Sequence, residues 1–150
     1  MAHRVRQATI RDLEQLVPLF DGYRQFYGRT CDLRAAREFL LARFNNDEST
    51  VFIAHEGERA MGFTQLYPSF SSISLARIFI LNDLFVHEQA RRKGVASSLM
   101  SAAVKFATAL GAASLSLSTA ITNDAAQALY KSAGWKRDDQ FFVYDFVIPT

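Results

Sequence analysis

Three consecutive cations, Arg91, Arg92 and Lys93, stand directly before Gly94, and the chain then enters the small and apolar run Val95, Ala96, Ser97. That order suits an anion. A helix N-terminus carries unpaired N–H groups and the positive end of a dipole, and a glycine there lets a bulky anion approach the backbone. The cations add side-chain charge, the amides from Gly94 to Ser97 can serve phosphate oxygens, and Ala96 is too small to block them. Two other phosphate loops are excluded, because neither GxxxxGK[ST] nor GxGxxG occurs in the chain. No metal site is expected: Cys31 is the sole cysteine, and His3, His55 and His87 form no HxH or HExxH pattern. The histidines remain as proton carriers, with His87 reading as a surface residue before the cations and His55 as the start of a hairpin turn.

A turn of this kind needs a strand before it and a helix after it. The strand is ARIFILNDLFV, Ala76 to Val86, which is apolar on both alternating faces except at Arg77, Asn82 and Asp83 and predicts a central, covered position. The helix is marked by Val95, Leu99, Ala103, Phe106 and Leu110 and closes at Gly111. Upstream, Arg4 to Thr9 predicts a short strand, and Thr9 with Asp12 caps a helix whose stripe runs Leu13, Leu16, Phe20, Tyr23, Tyr27 to a stop at Gly28. Asp32 caps a second helix that ends at Asn45 and Asn46. TVFIAHEGERAMGFTQLYPSF predicts a hairpin turning at 56–59, where Gly57 can take positive φ. Downstream, ASLSLST predicts a strand and NDAAQALYKSAGW a helix capped by Thr122 or Asn123. FFVYDFVI predicts a last strand, and GWKRDD is a candidate for one more.

The 150 residues, 49% hydrophobic and 21% charged, fit one domain, 1–150, able to bury a core without disulfides. A net charge of +2 from 17 basic and 15 acidic residues does not support a duplex-binding surface. Arg91 to Lys93 alone make too small a footprint for nucleic acid and lack interleaved aromatics. No apolar run approaches the roughly 18 residues of a membrane span and no leader pattern opens the chain, so a soluble, cytoplasmic protein without membrane partners is expected. Alternating aromatics in QFFVYDFVI suit an edge strand that pairs across a twofold axis, which leaves a homodimer open.

RRKGVA, placed after a strand, resembles the Arg/Gln-x-x-Gly-x-Gly/Ala motif of the GNAT family of N-acetyltransferases, and NDAAQALYKSAGW resembles the Asn…Tyr…Gly-aromatic segment that follows it there. Together they span roughly residues 76 to 136. The resemblance implies a GNAT-like α/β fold, with a mixed, mostly antiparallel sheet of six to seven strands and about four helices. It implies acetyl-CoA as cofactor, with the pyrophosphate held by Arg91, Arg92, Lys93, Gly94, Val95, Ala96 and Ser97. Leu84 and Val86 would pair the pantetheine arm, and the amide of Phe85 or a neighbour would receive the acetyl carbonyl. Asn123 and Ala126 would contact the cofactor, Asn123 serving equally well as a helix cap, and Tyr130 would be the general acid to the departing thiolate.

Acetyl transfer requires a neutral amine, yet an alkyl amine of pKa near 10.4 is neutral in only about one molecule in a few thousand at pH 7. A base is therefore needed. LNDLFV resembles the LEDLYV strand of polyamine acetyltransferases, but Asn82 stands where their glutamate would. Asp83 is the nearest ionisable replacement, acting as base or pairing with a cationic substrate, while Asn82 can hold water. Alternation along a strand lets at most one of the two face a given pocket unless the strand bulges. For the acceptor, Tyr23, Phe26, Tyr27 and Tyr67 offer an aromatic wall, with Asp21 and Asp32 close by in sequence; the same rings also fit a packed core. The leading expectation is acetyl transfer to a primary amine, a small cationic amine or polyamine ahead of a protein lysine, N-terminus or aminoglycoside. The other class kept open is an acyl-CoA-binding sensor or interaction module without turnover.

Overall fold

Strand β1 (Arg4–Gln7) ends where Thr9 turns the chain into a single 3-10 turn, Ile10–Asp12. The cap is reciprocal. Thr9 Oγ1 accepts from Arg11 N (3.3 Å) and Asp12 Oδ2 accepts from Thr9 N (2.8 Å). Arg6 then clamps the Asp12 carboxylate with both guanidinium nitrogens, at 2.6 and 2.9 Å. Helix α1 (Leu13–Phe26) follows directly, with Pro18 in its interior. Asp32 Oδ1 accepts from Ala35 N (3.0 Å) and starts α2 (Leu33–Asn45), as its sequence position predicts.

The hairpin forms between β2 (Thr50–Glu56) and β3 (Arg59–Ser71), with Gly57 at φ 63° in the turn. β3 returns antiparallel to β4 (Ala76–Val86), the cationic turn follows, and α3 (Val95–Ala109) runs to a stop at Gly111, φ 72°. β5 (Leu115–Ser116) pairs parallel to β4, and α4 (Asp124–Ser132) is the last element. The structure, a computed structural model, describes residues 2–150, in two compact units, Met1–Ser118 and Thr119–Thr150.

The first unit holds one sheet in the order β1-β2-β3-β4-β5. α1 and α2 cover one face, where Leu16, Phe20, Leu40, Ile53 and Phe63 form a buried cluster. α3 covers the other, with Phe106 set edge-on to Phe52 (5.6 Å) and tilted against Phe79 (5.5 Å). Each such large apolar side chain contributes about 1.5–3 kcal/mol when fully buried. Among the described residues, no helix is long and apolar enough to cross a membrane.

The sheet has five strands, not six to seven. The predicted strand in ASLSLST contracts to Leu115–Ser116, because β4 pairs with it only at Phe79 and Ile80. FFVYDFVI and GWKRDD form no strand at all. A strand exists only where a neighbouring backbone pairs with it, and among the described residues the sheet holds β1 to β5; alternation along 141–148 suggests pairing but does not supply a partner.

Candidate functional site

The site is set by how β4 ends. On its β5 side, Ala113 N donates to Arg77 O (2.8 Å) and Phe79 N to Ser114 O (3.1 Å), and strand pairing stops after Ile80. Beyond that point β5 leaves this side of β4 open. On the other side it stays paired with β3 to its end, where His87 N donates to Met61 O (2.7 Å). Backbone groups alternate along an antiparallel strand, so Phe85 turns its N–H and C=O to β3 while Leu84 and Val86 turn theirs to the open side. Val86 O accepts from Arg91 Nε (3.1 Å), which ties the cationic turn back to the strand.

A bulge decides which side chains meet. The β3–β4 register shifts between Gln65 and Leu66, so that Leu66 opposes Leu81, Gln65 opposes Asp83, and Asn82 is the extra residue. Phe79 packs on α3, whereas Phe85, past the bulge, packs with the α1 and α2 cluster. The pleat therefore changes phase at Asn82. Asn82 and Asp83 touch each other despite being adjacent, Asn82 Nδ2 donating to Asp83 Oδ1 at 2.7 Å.

Asp83 is 1% exposed, and Gln65 Nε2 donates to its other oxygen at 2.6 Å. Ser49 Oγ in turn donates to Gln65 Oε1 (2.8 Å), and Thr64 Oγ1 donates to the Asp83 carbonyl (2.8 Å). Burial lifts the Asp83 carboxyl above the usual carboxylate range, opposed by the hydrogen bonds from Asn82 and Gln65. The Tyr67 hydroxyl is pushed up to about 12, by burial first and then by the nearby Asp83 charge. It stays a neutral donor. Gln65, Thr64 and Ser49 escaped notice in the sequence, although two adjacent polar residues inside the apolar run MGFTQLYPSF are a visible signal.

The C-terminal end of α1 brings aromatic rings to the same strand. Tyr23 OH donates to the Asn82 carbonyl (3.0 Å), and its ring lies 5.2 Å from that of Tyr27, which lies 5.3 Å from Phe26. Phe26 and Tyr27 are about half exposed. α1 approaches this closely because Gly22 has no side chain: an added Cβ would stand 3.0 Å from Cζ of Phe85. Asp21 and Asp32 do not join the wall. Asp21 is buried and accepts from Asp32 N (2.9 Å) and Gln25 Nε2 (2.7 Å), while Asp32 caps α2.

The geometry of the cationic turn could accept an anion. Ala90, fully buried, anchors the turn, and Arg92 (φ 66°) and Gly94 (φ 77°) both take left-handed conformations. No side chain caps α3, whose first intrahelical bond is Ser98 N to Gly94 O (3.1 Å). The amides of Gly94, Val95, Ala96 and Ser97 thus lie ahead of the helix ladder, and a Cβ added to Gly94 would meet nothing within 4 Å. Arg91 also lies over the Phe85 ring, 5.7 Å from its centroid. The open β4 edge and the uncapped helix start fit an extended amide chain ending in a diphosphate.

The histidines are otherwise engaged. His87 Nδ1 accepts from Gln89 N (3.2 Å), His3 Nε2 meets Ser98 Oγ (2.7 Å), and His55 Nε2 meets Arg6 (3.0 Å). His55 is held below its ordinary pKa by burial and then by Arg6. No group of three potential metal ligands occurs among the described residues. In the second unit, Asn123 Oδ1 accepts from Ala126 N (3.1 Å) and so caps α4. Tyr130 sits on α4 with its ring 6.4 Å from Trp135, and Gly134 (φ 92°) closes the helix.

The profile of the Acetyltransferase (GNAT) family matches residues 13–135, most of the chain. This chain belongs to the GNAT family of acetyltransferases. It is 46% identical over 146 residues to the uncharacterised N-acetyltransferase YhfO of Bacillus subtilis (strain 168), covering 97% of this chain and 98% of that one. A crystal structure of a probable acetyltransferase superposes with a TM-score of 0.93 at 42% identity, covering 98% and 99% of the two chains. The aminoglycoside N-acetyltransferase AAC(6')-Iy, solved in complex with CoA, shares the GNAT fold at a TM-score of 0.80 and 20% identity, covering 97% of this chain and 95% of that one. The protein is a GNAT-type N-acetyltransferase, and acetyl-CoA is the co-substrate of its family. The reading as a binding module without turnover gives way to that of an enzyme.

Proposed function

We propose that this GNAT enzyme acetylates the primary amine of a small cationic metabolite, a polyamine or similar compound, and that Asp83 receives the amine's proton. The observation that carries the reading is the buried Asp83 carboxylate beside the bulge at Asn82, with Tyr23 bonded to the same residue's carbonyl. A buried negative charge attracts an ammonium, and the exposed faces of Phe26 and Tyr27 suit both the cation and its carbon chain. Because both Asp83 oxygens are already bonded and the side chain is closed to solvent, the proton reaches it through water held at the exposed Asn82 amide.

The cradle residues Arg91 to Ser97 hold the diphosphate, and the open groups of Leu84 and Val86 pair the arm behind it. Acetyl-CoA supplies the activated thioester. The carbonyl oxygen is assigned to the amide of Leu84 or Val86 rather than to that of Phe85, since the β3–β4 register turns the first two away from β3, which supports their receiving charge as it develops. Tyr130, from its position in the Asn…Tyr…Gly-aromatic segment, protonates the departing thiolate. A single cysteine, Cys31, with no second one in the chain to pair with, suits a cytoplasmic enzyme.

The test is free-thiol release from acetyl-CoA across polyamines, amino acids, aminoglycosides and lysine peptides, with Tyr130→Phe alongside. Polyamines or similar small cations are expected to give the highest kcat/KM, and Tyr130→Phe to lower kcat by about 10²-fold or more with little change in KM. Preference for lysine peptides would overturn the substrate class, and an unchanged kcat would leave Tyr130 as a packing residue.

A further inference from the structure

Gln65 is fully buried on the sheet face that carries Phe63 and Phe85, opposite Asp83 across the β3–β4 register. A buried amide is stable only where its polar atoms are bonded, so its partners show its use. Nε2 donates to Asp83 Oδ2 (2.6 Å), and Oε1 accepts from the hydroxyl of half-buried Ser49 (2.8 Å). Asn82 Nδ2 donates to the other carboxylate oxygen, Oδ1, at 2.7 Å. Both Asp83 oxygens thus meet N–H donors, an arrangement that suits a carboxylate and conflicts with a carboxylic acid, whose own O–H needs an acceptor. On protonation, one of the two donors must turn away. Gln65 is closed in and tied at its far end to Ser49, whereas Asn82 is exposed, and water can replace the bond that Asn82 gives up. The backbone beneath is pinned as well, by Thr64 Oγ1 on the Asp83 carbonyl (2.8 Å) and Tyr23 OH on the Asn82 carbonyl (3.0 Å).

Resting on the role of proton acceptor proposed above for Asp83, we propose that Ser49 and Gln65 are positioning residues for the transfer: Ser49 holds the Gln65 amide with its nitrogen toward Asp83, Gln65 holds Oδ2, and Oδ1 is the oxygen that takes the amine's proton. In this step the ammonium gives its proton to the water at Asn82, and that water gives one of its own to Oδ1. The amine nitrogen keeps the lone pair that attacks the thioester carbon. The Asn82 amide turns from Oδ1 as the O–H forms, and loss of that proton to solvent restores both donors. The groups around the carboxylate fit this division. From β3, Tyr67 is pushed up to about 12, by burial and then by the Asp83 charge, and so stays neutral. Arg43, in the last turn of α2, opposes that rise, and α1 brings the Tyr23 hydroxyl to the Asn82 carbonyl. Gln65 is the buried neutral donor that favours the ionised form of Asp83 without adding a charge that would repel a cationic substrate.

Carbon NMR of the full chain, labelled at its aspartate carboxyls, follows the Asp83 signal with pH; Asp83→Asn assigns that signal by removing it. Gln65→Met keeps the size and removes a hydrogen bond to the charged form, so the Asp83 midpoint is expected to rise by about one to two pH units. Ser49→Ala, a milder change at a half-buried position, is expected to move it the same way by less. Ser49→Thr keeps the hydroxyl and is expected to leave it in place. Thiol release from acetyl-CoA, with the amine of the panel above that is turned over fastest, is expected to show the acid limb of kcat/KM displaced by the same amount, with KM for acetyl-CoA unchanged. A purely structural role would lower the rate at every pH and leave the limb in place. If Asp83→Asn abolishes the limb, while Gln65→Met and Ser49→Ala move neither midpoint nor limb, the positioning role is overturned and Asp83 stands as the base. A limb that survives Asp83→Asn overturns the reading of Asp83, and the positioning role with it.

Discussion

Asp83 shows how one residue's environment sets its chemistry. Burial raises its pKa in the folded protein, so the fold binds this proton more tightly than the unfolded chain does. The sign follows: its contribution to stability is greatest below the ordinary carboxylate pKa and falls as pH rises through the raised, folded value. Where it is ionised, the buried side chain is a cost to the fold, in keeping with the role of base proposed for it. Asp83→Asn keeps the shape and removes the charge. It is expected to lower kcat/KM by about 10²–10⁴. The acid limb of the pH–rate profile, centred above 3.8 in the native enzyme, is expected to vanish with it. A profile that keeps its shape would make Asp83 a structural residue. The sequence offered Asp83 only as the nearest ionisable neighbour of Asn82, because burial is not written in identity.

At the scale of elements, the strand, cationic turn and helix from Ala76 to Ala109 were legible because each signal was local. Apolar alternation, three cations, a glycine and a helical stripe all lie within one stretch of chain. The structure adds the tie from Arg91 to Val86 O and the left-handed Arg92, which together aim the turn. Charged hydrogen bonds contribute about 1.5–3 kcal/mol each. Arg91→Ala with Arg92→Ala is therefore expected to weaken CoA binding about 10²- to 10⁴-fold in calorimetry, more so at low salt, with the fold retained. Equal affinity would remove the cradle assignment. The bulge at Asn82 was foreseen only as a condition, since a register shift belongs to a pair of strands and not to either alone. The same pairing makes Gly62 necessary: an added Cβ would stand 2.7 Å from the Phe85 carbonyl oxygen, backbone that cannot swing aside.

For the whole molecule, binding and stability are linked. A ligand held by the folded protein alone adds about 2.7 kcal/mol at one hundred times its Kd. For a chain of 150 residues that corresponds to a rise in Tm of roughly 5–10 °C. CoA at that excess is expected to produce such a shift in scanning calorimetry, and dephosphorylated pantetheine a smaller one, because it forgoes the cradle. No shift with CoA would mean that the site as drawn does not bind it.

By itself the sequence determined the elements that rest on short-range physics: the caps at Thr9 and Asp32, the hairpin at Gly57, the apolar β4, and the glycine that opens α3. It also carried the two motifs that placed the chain among the GNAT enzymes. Only the tertiary structure decided that Asp83 is buried, that Asp21 and Asp32 serve the α1–α2 corner, and that β4 and β5 part after Ile80. It also gave FFVYDFVI no strand, against its alternation. The reason is the same in each case. Propensity and capping act between residues a few positions apart, whereas burial, register and strand pairing depend on which distant segments the fold brings side by side.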